Sequence, residues 1–212
     1  MNKALSVAAA VIALSASTGS ELAAQWEAGL PGQDVASLTL HLGAVAPTSS
    51  LPDGGSFGTG IGGGISGTYW FHSRLGVRGS FLLGKTPGQP SPTVTAERQP
   101  GNENPTVWYY GAEVLLRHPM EAGESFAWFP YVAAGLGGKQ YRWEQLWTGF
   151  ERDYTLATNF AAGIDVRPTD SPWYGFSLEA RMYNSVYKWH SFHLDEPNQR
   201  DIVVSAGLKL NR

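Results

Sequence analysis

The sequence predicts an all-β protein, an eight-stranded antiparallel up-and-down transmembrane β-barrel, on three observations. Eight segments alternate apolar and polar residues with the period of 2 that strand geometry imposes. The connections between them alternate short and long, which is how a barrel with one turn side and one loop side is built. Only 16% of the 212 residues are charged and 26 are glycine, against about 25% charged and about 7% glycine in a typical soluble domain. Few charges with abundant glycine and aromatic side chains suits a wall that faces lipid outside and a crowded lumen inside.

Residues 1–24 are expected to be a cleaved signal peptide. Lys3 supplies the positive start, residues 4–16 (ALSVAAAVIALSA) form a short apolar run, and small residues follow. That composition marks export, with cleavage somewhere between residues 16 and 25. The apolar run is too short for a membrane helix, which needs roughly 20 residues. Residues 25–35 read as a lead-in and residues 36–212 as one barrel domain.

The strands follow in order. Residues 36–46, 61–72 and 75–85 alternate with weak contrast. Residues 106–118 set Trp108, Tyr110, Ala112, Val114 and Leu116 against Tyr109, Gly111, Glu113 and Arg117. In residues 128–143, Val132, Ala134 and Leu136 oppose Gly135, Gly137 and Lys139. Residues 154–168 set Leu156, Phe160, Ile164 and Val166 against Asn159, Gly163, Asp165 and Arg167. Residues 174–189 set Phe176, Leu178, Ala180 and Met182 against Ser177, Glu179, Arg181 and Tyr183. The last, 201–212, has the clearest pattern: Ile202, Val204, Ala206, Leu208 and Leu210 on one face, Val203, Ser205, Gly207 and Lys209 on the other. Each segment reaches the about 9–11 residues of a tilted membrane strand. Short connections fall at 73–74, 120–125 and 169–172, and long polar ones at 47–60, 86–105, 144–153 and 190–200. The second of these contains five prolines and is expected to lack regular structure.

A soluble barrel would turn the apolar faces inward around a ligand, and a periplasmic apolar-ligand carrier of that kind is the alternative. The polar faces argue against it, being rich in small residues (Gly62, Gly64, Ser66, Gly84, Gly111, Gly163, Gly207) with isolated charges. A narrow interior has room for that composition, whereas a solvated surface would carry more Lys and Glu. Arg78, Glu113, Asp165, Arg167, Glu179, Arg181 and Lys209 are thereby expected in the lumen, three acids facing four bases in a structural network, because buried charges persist only when paired. Tyr69, Phe71, Phe129 and Tyr174 near the short turns, with Trp108, Tyr110, Tyr154 and Trp189 near the long loops, are placed as interfacial aromatic belts.

The phrases FPYVAAGLGG (129–138), YGFSLEAR (174–181) and the strand at 202–211 resemble the small eight-stranded outer-membrane barrels of the OmpA/OmpX type and the related outer-membrane β-barrel domain family, over residues 36–212. The resemblance implies a bacterial outer-membrane location and a monomer. It also implies contact with outer-membrane lipid and lipopolysaccharide, insertion by the barrel-insertion machinery, and a role exerted through extracellular loops. The family's terminal strand usually ends in an aromatic residue, whereas Arg212 ends this one. No cofactor or metal is expected, no nucleic-acid partner in the absence of a basic run, and no cysteine chemistry, as the chain has no cysteine.

One segment tempts a catalytic reading: WHSFHLDE at 189–196 gathers His190, Ser191, His193, Asp195 and Glu196. Some barrels of this size are lipid A deacylases with His, Ser and Glu at the outer rim, His and Ser standing two apart on one strand face. Here His190 and Ser191 are adjacent, and on a strand would face opposite ways. A polar surface loop is the expectation, with a lipid-modifying enzyme as the alternative. Metal ligation by the same side chains lacks a defining spacing.

Overall fold

The computed structural model describes residues 35–50, 55–89, 104–120, 125–142, 153–171, 173–189 and 194–212. The expected signal peptide, much of the long loops, and His190, Ser191 and His193 lie outside the described residues. Eight long strands run β1 (Ala36–Pro47), β2 (Gly60–Trp70), β3 (Leu75–Lys85), β4 (Thr106–Arg117), β5 (Phe126–Arg142), β6 (Asp153–Pro168), β7 (Tyr174–Trp189) and β8 (Leu194–Asn211). Each pairs antiparallel with the next, and β8 pairs with β1 through Leu42↔Ala206 and its neighbours, closing the barrel. Closure satisfies the main-chain groups around the whole wall, the condition for crossing lipid with strands. At the first short turn His72 N–H donates to the Leu75 carbonyl (3.1 Å) and Leu75 N–H returns the bond (3.2 Å), leaving only Ser73 and Arg74 as connection.

Alternation decides the faces. Leu42, Ile61 and Leu156 are more than 70% exposed, and Val114, Leu116, Val132, Leu136, Phe160, Phe176, Leu178 and Val204 also point outward. Charged and hydroxyl side chains instead line the interior. An apolar surface of this extent exceeds what soluble monomers expose, and the interior is polar. This arrangement is the inverse of a soluble apolar-ligand carrier, so that alternative fails. The small interior explains the glycines: a Cβ on Gly111, which faces Gly137 across β4–β5, would sit 2.9 Å from Asn159 Nδ2 and from the Leu136 carbonyl oxygen.

Three expectations need correction. The segment 190–200 is not a long loop: β8 starts at Leu194, and Asp195 and Glu196 pair with Lys188 and Tyr187 as the top of a hairpin. Polar sequence hid these strand residues, which lack the two-faced contrast of the membrane band. In the proline-rich connection, Gly88–Gln89 pairs with Ser56–Phe57 of the first loop, so part of it is regular. Phe129 does not join an outer belt, since its ring lies beneath the guanidinium groups of Arg117 and Arg167, at 5.3 and 5.1 Å. Trp128, Trp173 and Phe126 stand outward at that end instead.

The loop end of the wall is uneven. β6 and β7 pair from Val166↔Phe176 up to Ala157↔Ser185 and then separate. Above that point β6 continues on β5 (Tyr154↔Gln140), and β7 continues on β8 (Tyr187↔Glu196). The register of β7 and β8 shifts between Glu196 and Gln199. Pro197 and Asn198 thus oppose Val186 alone, a bulge of the kind that bends a strand and raises its twist.

Leu178, outward and paired with Ile164 and Ala206, tests the orientation of the wall. Leu178→Arg is expected to cost about 2–4 kcal/mol in lipid vesicles, the penalty for a cation on the lipid face near the midplane. Equilibrium unfolding in urea reads it, and a change within error would contradict the lipid-facing assignment.

Candidate functional site

The lumen is filled in three tiers. In the middle tier Arg78 on β3 binds Glu113 on the adjacent β4 (Nε–Oε2, 2.5 Å) and Glu179 on β7 (Nη1–Oε2, 2.6 Å). β3 and β7 stand opposite each other in the closed order, so this second bond spans the lumen. Arg181 completes a quartet, with Nη2 at 2.8 Å from Glu179 Oε1 and Nη1 at 3.3 Å from Glu113 Oε1. Its Nη1 also donates to Ser80 Oγ (2.8 Å) and Tyr183 Oη (2.9 Å). Tyr131 OH donates to Glu179 Oε2 (2.7 Å). Two cations, two anions and their surrounding hydroxyls supply the pairing that buried charges require, with Arg78 Nη2 and Glu113 Oε1 left without a hydrogen bond.

Toward the short turns the tier is aromatic and cationic. Trp70 points inward and is 3% exposed, with the Arg117 guanidinium 4.0 Å over its ring and Lys209 Nζ 6.0 Å away. Lys209 donates to Asp165 Oδ2, and Arg117 Nε to the Ser73 carbonyl (2.8 Å). Arg167 covers Phe129.

Toward the loops, Lys139 pairs with Asp201 (2.5 Å) and donates to Gln199 Oε1 (2.6 Å). Tyr109 OH, on β4, donates to Asp201 Oδ2 on the opposite strand β8 (2.7 Å). Tyr109 and Tyr183 stack with centroids 4.5 Å apart. Above them Phe57, held by the short ladder between the first two loops, is buried against Tyr141, centroids 5.5 Å apart. Of the first loop, Phe57 therefore folds into the mouth, whereas Thr48, Ser50 and, in the second loop, Pro87 and Gln89 stay exposed.

All seven charges singled out in the sequence fall inside. Arg78, Glu113, Glu179 and Arg181 meet as one quartet, and Asp165 with Lys209 forms a separate pair. Arg167 packs on Phe129. Sequence reasoning placed Lys139, Arg117, Tyr109 and Tyr183 on inward faces without joining them to the network, and it missed Asp201, Gln199, Tyr131 and Tyr141. The signal was available, because residues 199 and 201 share the parity of inward Val203, Ser205 and Lys209. Among described residues the interior charges number four acids (Glu113, Asp165, Glu179, Asp201) and six bases (Arg78, Arg117, Lys139, Arg167, Arg181, Lys209). His41 is also interior and shares a hydrogen bond with Ser66 Oγ (2.8 Å). Of the tempting WHSFHLDE segment, only the backbone of its two ends is described, as hairpin strand.

No protein-family model matches the chain, and no curated protein sequence does. Solved structures do. The chain is similar to Neisserial surface protein A at 14% identity and a TM-score of 0.56, over 84% of this chain and 97% of that one. Weaker likenesses are the outer-membrane protein OprG from Pseudomonas aeruginosa (12% identity, TM-score 0.48, 87% and 100% covered) and the N-terminal β-barrel domain of Pseudomonas aeruginosa OprF (12%, 0.44, 84% and 98%). The likeness to the Neisserial protein is one of fold: a small, closed, eight-stranded outer-membrane barrel.

Proposed function

We propose that the protein is exported to the bacterial outer membrane, is inserted there as a monomer by the barrel-insertion machinery, and acts through its loop end in a structural or surface-interaction role. It is neither a pore nor an enzyme on this reading. The observation that carries it is the bridging of opposite walls: Arg78 to Glu179 in the middle and Tyr109 to Asp201 above, with Phe57 over the mouth. An eight-stranded interior is narrow enough for side chains to fill, and here they are tied across it. What remains to engage lipopolysaccharide or an external surface is the loop end.

Two measurements test this. The refolded chain is expected to migrate faster unboiled than boiled on SDS gels, and in planar bilayers to produce no conductance steps above the lipid baseline. Regular steps would overturn the closed-lumen reading; absence of the gel shift would overturn the barrel in the membrane. For the catalytic alternative, lipid A mass spectra of wild-type and deletion strains are expected to coincide. A deacylated species that disappears in His190→Ala and Ser191→Ala would replace a surface role with catalysis.

A further inference from the structure

Four polar side chains in the loop-side tier of the lumen keep atoms that no described protein group bonds. Gln199 Nε2, Ser185 Oγ, Asp201 Oδ1 and both amide ends of Asn159 have no hydrogen-bond partner, and all four residues are more than nine-tenths buried. They share the inner face of three neighbouring strands. Gln199 on β8 opposes Ser185 on β7, and Asp201, two residues further, opposes Tyr183. Asn159 on β6 opposes the same Tyr183 from the other side.

The bonds these residues do make leave those atoms over. Lys139 Nζ can only donate, and both it (2.6 Å) and Tyr141 OH (3.2 Å) bond Gln199 Oε1, so the amide NH2 is the unbonded end. Asp201 takes Lys139 and Tyr109 OH on Oδ2, and Oδ1 remains. On β5 and β4, Asn159 faces Gly135, Gly137 and Gly111, which have no side chain to offer it.

The tier is closed at both ends. Phe57, 3% exposed, lies against Tyr141 above it. The strap that carries Phe57 is fixed by Gly58 N–H donating to the Pro87 carbonyl (2.7 Å) and by Ser56 Oγ donating to Gln89 Oε1 (2.9 Å). Below, Tyr183 stacks on Tyr109, and its OH accepts from Arg181 of the quartet.

Buried donors and acceptors are costly to leave unbonded, and the set here is mixed. The Gln199 NH2 needs an acceptor, while the Asp201 carboxylate oxygen needs a donor. A metal cation cannot accept, and a fully ionised anion cannot donate. Water does both, and buried water makes about 3 hydrogen bonds to groups left over in this way.

We propose that the loop-side tier is a hydration site, in which ordered water joins Gln199, Ser185, Asp201 and Asn159, and that Phe57 is the lid controlling its exchange with the outside. The site lies at the end of the β6–β7 ladder, Ala157↔Ser185, so the water ties β6 to β8 where main-chain pairing stops. It is enclosed by the wall, and the proposal therefore stands apart from what the outer face or the loops engage.

The test uses the refolded full-length barrel. Crystals at a resolution that orders solvent are expected to show density at hydrogen-bond distance, about 2.7–3.2 Å, from Gln199 Nε2 and from Asp201 Oδ1. No density there, or those groups bonded directly to protein, overturns the hydration site. Hydrogen exchange of the Gln199 side-chain NH2, followed by NMR, is expected to be roughly a hundredfold faster in Phe57→Ala, the truncation of a buried Phe read as an opening equilibrium. Phe57→Leu, which refills the space, should stay near the wild-type rate. Equal rates in wild type and Phe57→Ala overturn the lid. Phe57→Ala should still give no conductance steps, because the quartet beneath is untouched. Steps in that variant alone overturn the closed floor, whereas steps in the wild type count against the closed-lumen reading itself. Retention of the unboiled gel shift shows each variant folded.

Discussion

Glu179→Gln is expected to destabilise the barrel by about 3–5 kcal/mol, the cost of removing one partner from a buried ion pair. The substitution keeps the size of the side chain, so packing is not the cause. Glu179 accepts from Arg78, from Arg181 and from Tyr131. Neutralising it leaves two guanidinium groups sharing Glu113 in a space without bulk water. The effect has a second signature. Arg78→Met combined with Glu179→Gln returns the tier to one cation and one anion, so the double variant should lose clearly less than the sum of the two single losses. Urea unfolding in lipid vesicles, followed by tryptophan fluorescence, gives all four corners of that cycle. A loss below about 1 kcal/mol for Glu179→Gln would place the quartet among solvent-screened pairs and remove the argument for a sealed lumen.

Trp70→Ala is expected to cost a similar amount, about 3–5 kcal/mol, for a different reason. The indole is buried, and its Nε1 has no hydrogen-bond partner, so the loss comes from packing and from the cation above its face. Arg117 stacks on it at 4.0 Å and also reaches Phe129. Truncation leaves a void under that guanidinium at the short-turn end. Trp70→Phe should recover most of the stability by keeping an aromatic face, and the same unfolding measurement checks both variants. If Trp70→Ala and Trp70→Phe lose equally, the ring is not what supports the cations there.

The two variants probe tiers with different legibility in the sequence. The parity of Arg78, Glu113, Glu179 and Arg181 within their strands placed each in the lumen without a structure. Trp70 was lost in a segment of weak contrast, 61–72, where glycines occupy both faces. Phe129 was assigned to a belt from its position near a turn, although the parity of inward Gly135 and Gly137 already pointed it inside.

What the sequence determined by itself was the number of strands, the face of most residues, and the side of the barrel with short turns. These follow from local rules: a strand alternates with period 2, and one face meets lipid while the other meets a narrow interior. What the tertiary structure decided was which interior groups meet. Arg78 and Glu179 lie 101 residues apart and touch because closure sets β3 opposite β7. Tyr109 reaches Asp201 across 92 residues for the same reason. Nor does alternation say where a strand continues above the membrane, because both faces there are polar and the contrast vanishes. The extended β7–β8 hairpin, its bulge at Pro197–Asn198 and the parting of β6 from β7 all lie in that zone. Local preference is silent there, and the backbone path depends on closure of the whole sheet.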